Sequence, residues 1–146
     1  MALGDGVLPE LPVLENVALP LLLDGLPHRR AVAHAADLLD EIGLSGLGAR
    51  RPADLRPRDR VLVAVGRALV TEPHLVVAAD PTPELGEAVG ADVLDVLLGR
   101  CAHTGAALLL TTEVGASAAR CTRRVEICDG RLVRHPEVHY ATQALL

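Results

Sequence analysis

The segment best suited to chemistry is a short apolar run that leads into a turn with one carboxylate. It reads LVVAADPT over residues 75–82. The run predicts a strand, Leu75–Ala79, buried on both faces of a sheet, and Pro81 ends it. A strand of this kind that ends in two adjacent acids can hold Mg²⁺ and activate water for phosphate hydrolysis. Only Asp80 is present here, so the segment is one acid short of such a site.

The composition excludes several classes of function. All 14 basic residues are arginine, so these 146 residues contain neither a Schiff-base lysine nor the phosphate-binding lysine of a GxxxxGK[ST] loop. With one Tyr and no Phe or Trp, the chain lacks the aromatic surfaces on which single-stranded nucleic acid stacks. The net charge of −5 argues against duplex DNA. We therefore expect no nucleic-acid partner.

Cysteine usage and hydropathy indicate the compartment. The three cysteines are widely spaced and odd in number, which is typical of reduced thiols. The longest apolar run, Val17–Leu23, is far shorter than the ~20 residues of a membrane span, and the first residues lack the basic start of a secretory signal. We expect a cytoplasmic protein.

Helices that could position the site are indicated by apolar spacing in the first half of the chain. Val13–Leu23 has a helical pattern that Pro20 should end or kink. Arg29–Ile42 is a clearer helix that Gly43 can cap. Asp59–Val70 predicts a third helix, which ends before a proline. The apolar residues of the second helix that share one face are Val32, Ala35, Ala36, Leu39 and Ile42.

After residue 73, strands and helices alternate. Two apolar strands, at 75–79 and 106–112, are separated by a helix at 86–101, and a short helix at 115–121 follows. The inner face of the helix at 86–101 is predicted to be Val89, Val93, Val96 and Leu97. Residues 124–128 and 131–134 form a hairpin around a tight Asp129–Gly130 turn. Such alternation predicts an α/β fold with a mostly parallel sheet flanked by helices, preceded by a helical piece.

The order of four segments indicates a family. VLENV, GRALVTEPHLVV, DPT and DGRLV follow one another with spacings that local chemistry alone would not fix. In this order the chain closely resembles the ATP-binding subunit of ABC transporters of the lipoprotein-release and macrolide-export type, over about residues 7–134. The resemblance implies a truncated P-loop NTPase-like core in a single domain, 1–134. That domain comprises a helical piece at about 9–60 and an α/β piece at 61–134, and residues 135–146 form a tail.

Several functional positions of the family are replaced in this sequence. The Gln position falls on Leu3, and the phosphate loop upstream of it has no counterpart. The signature segment LSGGE/Q aligns with Leu55, Arg56, Pro57, Arg58 and Asp59. Its two glycines let backbone N–H groups approach the γ-phosphate, whereas a proline removes an N–H and arginine side chains fill the space.

The family's Asp-Glu-Pro-Thr motif aligns with Ala79–Thr82. The magnesium-positioning acid is then Ala79, and the general-base Glu is Asp80, which is one methylene shorter. Because successive side chains of a strand point to opposite faces, Asp80 is not expected to replace the missing magnesium ligand. The Asp that ends the following loop is Gly86, and the switch His is Glu113, whose charge would repel a γ-phosphate.

These losses lead us to expect a non-catalytic relative of an ATP-binding subunit, with no cofactor. It would act by binding a permease or a competent ATPase, and residues 9–27 align with the part that contacts the permease in the family. The resemblance thus implies a cytoplasmic protein or one that is peripheral at the inner face of the plasma membrane. One alternative is an ATP-binding and ATP-hydrolysing subunit that another chain completes, with ATP and Mg²⁺ bound and Asp80 as the residual acid. Another alternative is a decayed fragment without function.

The resemblance also carries a structural consequence. By analogy, the strand that leads into the phosphate loop would lie between the strands at 106–112 and 124–128. Without it, two central edges are left unpaired unless the last strands pair directly, and exposed apolar edges invite pairing with another chain. We therefore expect self-association.

Two groups of potential metal ligands are interpreted as structural. His135 and His139 have the spacing of zinc ligands on a helix, but the HExxH pattern is absent and a solvated tail is favoured. A Cys₃His site would need Cys101, Cys121, Cys128 and His103, which include no CxxC pair. Cys101 and Cys128 fall on apolar faces, so small core residues are favoured and no metal is expected.

Two charged groups are also given structural interpretations. Glu84 and Glu87 precede or begin a predicted helix, where they complement its dipole rather than form an acid/base pair. A local basic cluster could hold an anion or a partner's acidic surface, although a solvated loop is the default. The cluster consists of Arg50, Arg51, Arg56, Arg58 and Arg60.

Overall fold

A computed structural model describes residues 2–3, 6–82 and 84–133, so His135 and His139 lie outside the described residues. It divides into two compact units, 1–112 and 113–146. The elements of the first unit are β1 (Ala2–Leu3), α1 (Val13–Leu23), α2 (His28–Glu41), a 3₁₀ turn (Pro52–Asp54), α3 (Pro57–Leu69), β2 (Leu75–Ala79), α4 (Glu87–Thr104) and β3 (Ala107–Thr111). The second unit contains α5 (Gly115–Ala118), β4 (Glu126–Cys128) and β5 (Arg131–Val133).

The helix α3 is the centre of the first unit. Most of its residues are buried, and it packs against α1, α2 and α4. Gly66 allows the closest approach, because a Cβ there would lie 3.0 Å from Cδ1 of Ile42 and 3.4 Å from Cγ2 of Val17. This close packing buries a continuous aliphatic core, which is the main source of stability in a chain with almost no aromatic residues.

The helix α1 continues through Pro20 to Leu23, so of the two predicted effects of Pro20, an end or a kink, the end is wrong. The proline removes one intrahelical hydrogen bond. Packing offsets that loss, because Val13 and Val17 are fully buried on the side that meets the core. The tertiary contacts of α1 therefore override the local preference of the proline.

The helix α2 spans His28–Glu41, one residue earlier than predicted. Its buried face is Ala31, Ala35, Leu38 and Leu39, so Ala35 and Leu39 are confirmed, whereas Val32 and Ala36 are only half-buried. Gly43 has a φ of +79° and ends the helix, and the Leu44 N–H donates to the Leu39 carbonyl at 2.8 Å. The predicted glycine cap is confirmed, since the left-handed conformation suits glycine.

The sheet of the first unit has the order β1–β2–β3, and all three strands are parallel. Leu75 pairs with Ala107 and Ala79 with Thr111. Val76 and Ala78 are buried, and Leu108 and Leu110, their partners on β3, pack against the same core. This face of the sheet is the one that the helices cover.

The opposite face of the same strands is open. Its two largest side chains, Leu75 and Leu109, are 50% and 55% exposed. The prediction that the strand at 75–79 is buried on both faces is therefore wrong, because the helices of the first unit cover only one side of the sheet. We call this surface the open face, and its residues are Leu75, Val77, Ala79, Ala107, Leu109 and Thr111.

The helix α4 spans Glu87–Thr104, and its buried residues are Gly90, Val93, Leu94, Leu97 and Cys101. Val93 and Leu97 are confirmed as inner residues, whereas Val89 is exposed and its assignment was wrong. The reason is that the first turn packs on the preceding loop: a Cβ on Gly90 would lie 3.2 Å from Cβ of Thr82. In the described part of the chain, no helix combines the length and apolarity that a membrane span requires.

The second unit is small, and most of its described residues are exposed. β4 and β5 form an antiparallel hairpin around Asp129 and Gly130, whose positive φ angles of +49° and +72° confirm the predicted tight turn. Cys128 is exposed, so its assignment to a core is wrong, whereas Cys101 in the first unit is buried as predicted. Burial also raises the pKa of the Cys101 thiol.

A buried amide fastens the start of α1. Asn16, the only asparagine of the 146 residues, is fully buried. Its Oδ1 accepts the Leu8 N–H at 2.7 Å, and its Nδ2 donates to the carbonyls of Leu8 and Leu11, both at 2.9 Å. The side chain thus closes the turn that leads into the helix, and it satisfies partly buried backbone groups of that turn.

We expect Asn16→Ala to lower the free energy of unfolding by about 1–3 kcal/mol, because it removes the hydrogen bonds by which a fully buried side chain holds the Leu8–Leu11 turn. Urea unfolding followed by circular dichroism measures this change. The exposed neighbour Glu15 provides the control, since Glu15→Ala should change stability by less than about 0.5 kcal/mol. Equal effects of the two substitutions would show that the amide has no special role.

Candidate functional site

The single carboxylate of the DPT turn lies where β2 ends. Ala79 is the last residue of β2 and Asp80 follows it, with its N–H donating to the Thr111 carbonyl at 2.8 Å. Thr111 is the last residue of β3, so the carboxyl ends of both strands meet here. This edge is where open α/β sheets bind ligands. The sequence therefore placed its candidate acid at the chemically relevant edge of the sheet.

The chemistry available at this edge is limited. Asp80 has a φ of +40°, a left-handed conformation that aspartate tolerates better than most residues. Its side chain has no hydrogen bond or ion pair with any described residue, and Ala79 beside it offers no ligand. Across the described residues, no group of three or more His, Cys, Asp or Glu side chains is arranged to hold a metal ion.

The segment that aligns with the family's signature is the entrance to α3. Leu55 is buried, Arg56 is the N-cap residue, and Pro57 is the first helical residue. The helix begins two residues earlier than predicted, because the fixed φ of proline is preorganised for the first turn. Pro57 has no N–H to offer a ligand, so one backbone donor is missing from this helix end.

An acid that belongs to the protein occupies this helix end. Asp59 has a side chain only 4% exposed, and its Oδ2 accepts from Nε of Arg56 at 2.9 Å. Its Oδ1 lies 3.2 Å from Nη1 of Arg58, whose Nε donates to Oδ2 of Asp92 at 2.6 Å. We call these four residues the Asp59 cluster. The hydrogen bond that Arg58 donates to Asp92 is the main cause of the raised pKa of Arg58.

The electrostatics of the Asp59 cluster favour structure over ligand binding. The N-terminus of a helix attracts anions, and a carboxylate in its first turn satisfies that field. Asp59 is the third residue of α3 and supplies this carboxylate. The two arginines that replace the signature residues are already paired with carboxylates. A phosphate at this position would have to displace those pairs.

Two features of this region have no signal in the sequence. Asp92 lies on α4, 34 residues from Arg58, and no local pattern indicates the pairing. On α3, Arg67 has Nε and Nη1 buried without an acceptor in the part of the chain that the structure describes. Both features depend on how the helices pack against each other.

The remaining candidates are dispersed. Glu113 is exposed and belongs to the second unit. Glu84 is exposed, and Glu87 is the first residue of α4, as its helix-dipole interpretation requires. In the basic cluster, Nη1 of Arg51 donates to the Glu10 carbonyl at 2.8 Å, so this arginine fastens a loop.

Comparison with known proteins gives a consistent set of relatives. No family model matches the chain. It is 39% identical over 128 residues to the lipoprotein-releasing system ATP-binding protein LolD of Alcanivorax borkumensis, which is 88% of this chain and 56% of that protein. It is 38% identical over 126 residues to LolD of Legionella pneumophila strain Paris, a match that covers 86% of this chain and 56% of that protein. The chain thus spans little more than half the length of these relatives.

Solved structures agree on the fold. The chain superposes on a dimeric structure of the ATP-binding cassette MJ0796 bound to ADP and Pi with a TM-score of 0.79. The match covers 91% of this chain and 60% of that chain, at 24% identity. A second dimeric structure of MJ0796, described as a bacterial ABC transporter cassette, matches equally well. The α/β fold of P-loop type is therefore confirmed.

We expect Asp59→Ala to destabilise the protein by about 2 kcal/mol, because it removes the carboxylate from the first turn of α3 together with the charged hydrogen bonds that it accepts from Arg56 and Arg58. The matched control is Asp92→Ala, which removes the half-exposed carboxylate of the same cluster and should cost less than about 1 kcal/mol. Thermal and urea unfolding of both variants measure the difference. A larger effect at Asp92 would show that the buried acid does not hold the cluster together.

Proposed function

This chain is a relative of the ATP-binding subunits of ABC transporters, and from that premise we propose that it acts by binding, without hydrolysing ATP itself. Its partner is a transporter permease or a competent ATPase subunit. The observation that carries the proposal is the Asp59 cluster, which fills the signature-aligned helix end with the protein's own ion pairs.

The edge of the sheet gives independent support. Phosphoryl transfer depends on positioning and charge stabilisation, for which a metal ion and its ligands are central. Here the position that aligns with the family's magnesium-binding acid is occupied by Ala79, which has no ligand atom. Asp80 makes no ion pair with a described residue. These 146 residues also contain no lysine to pair with a phosphate. The same chain keeps its aliphatic core, so the scaffold is retained without the groups that grip a nucleotide.

Residues 9–27 are the proposed surface for the permease. In this stretch α1 ends at Leu23, which is 78% exposed. The charged residues of the stretch are all acidic: Glu10, Glu15 and Asp24. The chemistry fits a partner with an apolar pocket flanked by basic groups, because apolar burial supplies affinity and opposite charge supplies orientation. Such a partner would place the chain at the inner face of a membrane.

A second candidate is an ATPase subunit that another polypeptide completes. The observation that favours it is the position of Asp80 directly after β2, at the edge of a parallel sheet where α/β proteins bind ligands. Under this alternative ATP and Mg²⁺ bind only to the completed assembly, and Asp80 is the residual acid. A fragment without function would bind neither partner.

We expect the purified chain to show no heat of binding for Mg-ATP at micromolar concentrations in isothermal titration calorimetry, because the aligned phosphate and metal contacts are replaced. LolD of Alcanivorax borkumensis, titrated in the same buffer, is the positive control. The exchange Asp80→Asn should leave the trace unchanged. Micromolar affinity of this chain, lost on Asp80→Asn, would contradict the non-catalytic proposal.

We expect the chain to bind a detergent-solubilised permease of a lipoprotein-releasing transporter, and Leu23→Asp to weaken that binding at least tenfold, because it places a charge in the apolar contact. Biolayer interferometry measures the dissociation constant. Leu109→Asp, a comparably exposed leucine outside residues 9–27, is the matched control and should leave it unchanged. Equal weakening by both variants, or no binding at all, would reject this surface.

A further inference from the structure

The turn that precedes α1 is held more firmly than an exposed loop usually is. Residues 8–11, which read LPEL, form a β-turn with Pro9 and Glu10 at its tip. The Leu11 N–H closes it by donating to the Leu8 carbonyl at 3.3 Å. Proline is favoured at the second position of such a turn, because its fixed φ suits the conformation required there. We call residues 8–11 the LPEL turn.

Two side chains fix the backbone of the LPEL turn. The amide of Asn16 bonds both the N–H and the carbonyl of Leu8, and also the Leu11 carbonyl, at 2.7–2.9 Å. At the tip, Nη1 of Arg51 donates to the Glu10 carbonyl at 2.8 Å, from a loop 41 residues away in the chain. Backbone groups that water would otherwise bond are thus held by the protein, so a partner that binds this turn does not have to order it.

The carboxylate of Glu10 is free, in contrast to its backbone. The side chain is exposed and makes no hydrogen bond or ion pair with a described residue. Leu8, at the start of the same turn, is 37% exposed. A free carboxylate on a fixed backbone, close to an exposed leucine, matches a basic side chain at the rim of an apolar contact.

We propose that the permease surface recognises its partner through Glu10, and that Arg51 is the positioning residue for this contact. The Glu10 carboxylate pairs with an arginine or lysine side chain of the permease. Arg51 keeps the geometry of that pair by holding the backbone from which the carboxylate extends. The inference rests on the proposed function, because it names a contact within residues 9–27.

The other two acids of this surface have different surroundings. Glu15 lies in the first turn of α1, where its charge complements the helix dipole. Asp24 is the C-cap residue of α1, and its backbone N–H bonds carbonyls of the same helix. Within the described residues, Glu10 is the acid of this stretch whose backbone accepts a hydrogen bond from a side chain outside it. Glu10 therefore combines exposure with a fixed position, which a pairing of one geometry requires.

The test measures the dissociation constant for the detergent-solubilised permease of a lipoprotein-releasing transporter by biolayer interferometry. We expect Glu10→Arg to weaken binding at least tenfold, because it brings two like charges together. The matched control is Glu84→Arg, which makes the same change of charge at an exposed residue outside residues 9–27. It should change the dissociation constant by less than about twofold.

A second pair of variants tests the positioning role. Arg51→Met removes the donor to the Glu10 carbonyl and should weaken binding about fivefold, because the turn must then be ordered on binding. Arg50→Met removes the same charge from the adjacent exposed residue and should have no effect. In the Glu10→Arg background, Arg51→Met should add less than about twofold, since it acts through a contact that is already lost. A merely structural role would give effects that multiply.

Three results would overturn the inference. They are unchanged binding of Glu10→Arg, equal effects of Arg51→Met and Arg50→Met, and unprotected hydrogen exchange at the Leu8 amide of the isolated, unsubstituted chain. If Leu23→Asp weakens the complex and Glu10→Arg does not, the permease surface stands and this inference alone fails. A complete lack of binding by the unsubstituted chain would reject the proposed function and this inference together.

Discussion

The close packing of α3 against its neighbours is the constraint on which the rest of the fold depends. With no phenylalanine or tryptophan, the core must be filled by small and aliphatic side chains at short distances. Gly66 permits this, because its missing Cβ leaves room for Ile42 and Val17. Because α3 is held in place by this packing, its first turn, with Pro57, Arg58 and Asp59, is held in place as well. These residues belong to the segment that aligns with the signature.

At that first turn, structure and chemistry compete for the same groups. A helix N-terminus can bind a phosphate or satisfy a carboxylate of its own chain, and here Asp59 takes the second role. Arg56 and Arg58 are not available to a phosphate either, since each is paired with a carboxylate. The segment that the sequence analysis aligned with the family's signature is therefore part of the internal support of the fold.

The sheet, in contrast to this helix end, is buried on one face and exposed on the other. Its covered face joins the core through Val76 and Ala78, whereas the open face exposes its apolar side chains to solvent. Among the described strands, β3 lies at the edge of the sheet and pairs only with β2. Burial of such groups is worth about 25 cal/mol per Å² of apolar area, so a protein gains from covering them. A retained scaffold with an uncovered sheet is therefore consistent with a role in assembly.

The sequence by itself determined the order of elements from α1 onward, the strand at 75–79, a second strand within 106–112, the Gly43 cap and the turn at 129–130. Each follows from apolar spacing or from the backbone freedom of glycine and aspartate. It also placed Asp80 at the end of a strand. Only the tertiary structure decided that α1 continues through Pro20, that Asp59 is buried and linked to Asp92, and that one sheet face is bare. Those outcomes depend on contacts between residues far apart in the chain, and local periodicity carries no information about which element lies opposite which.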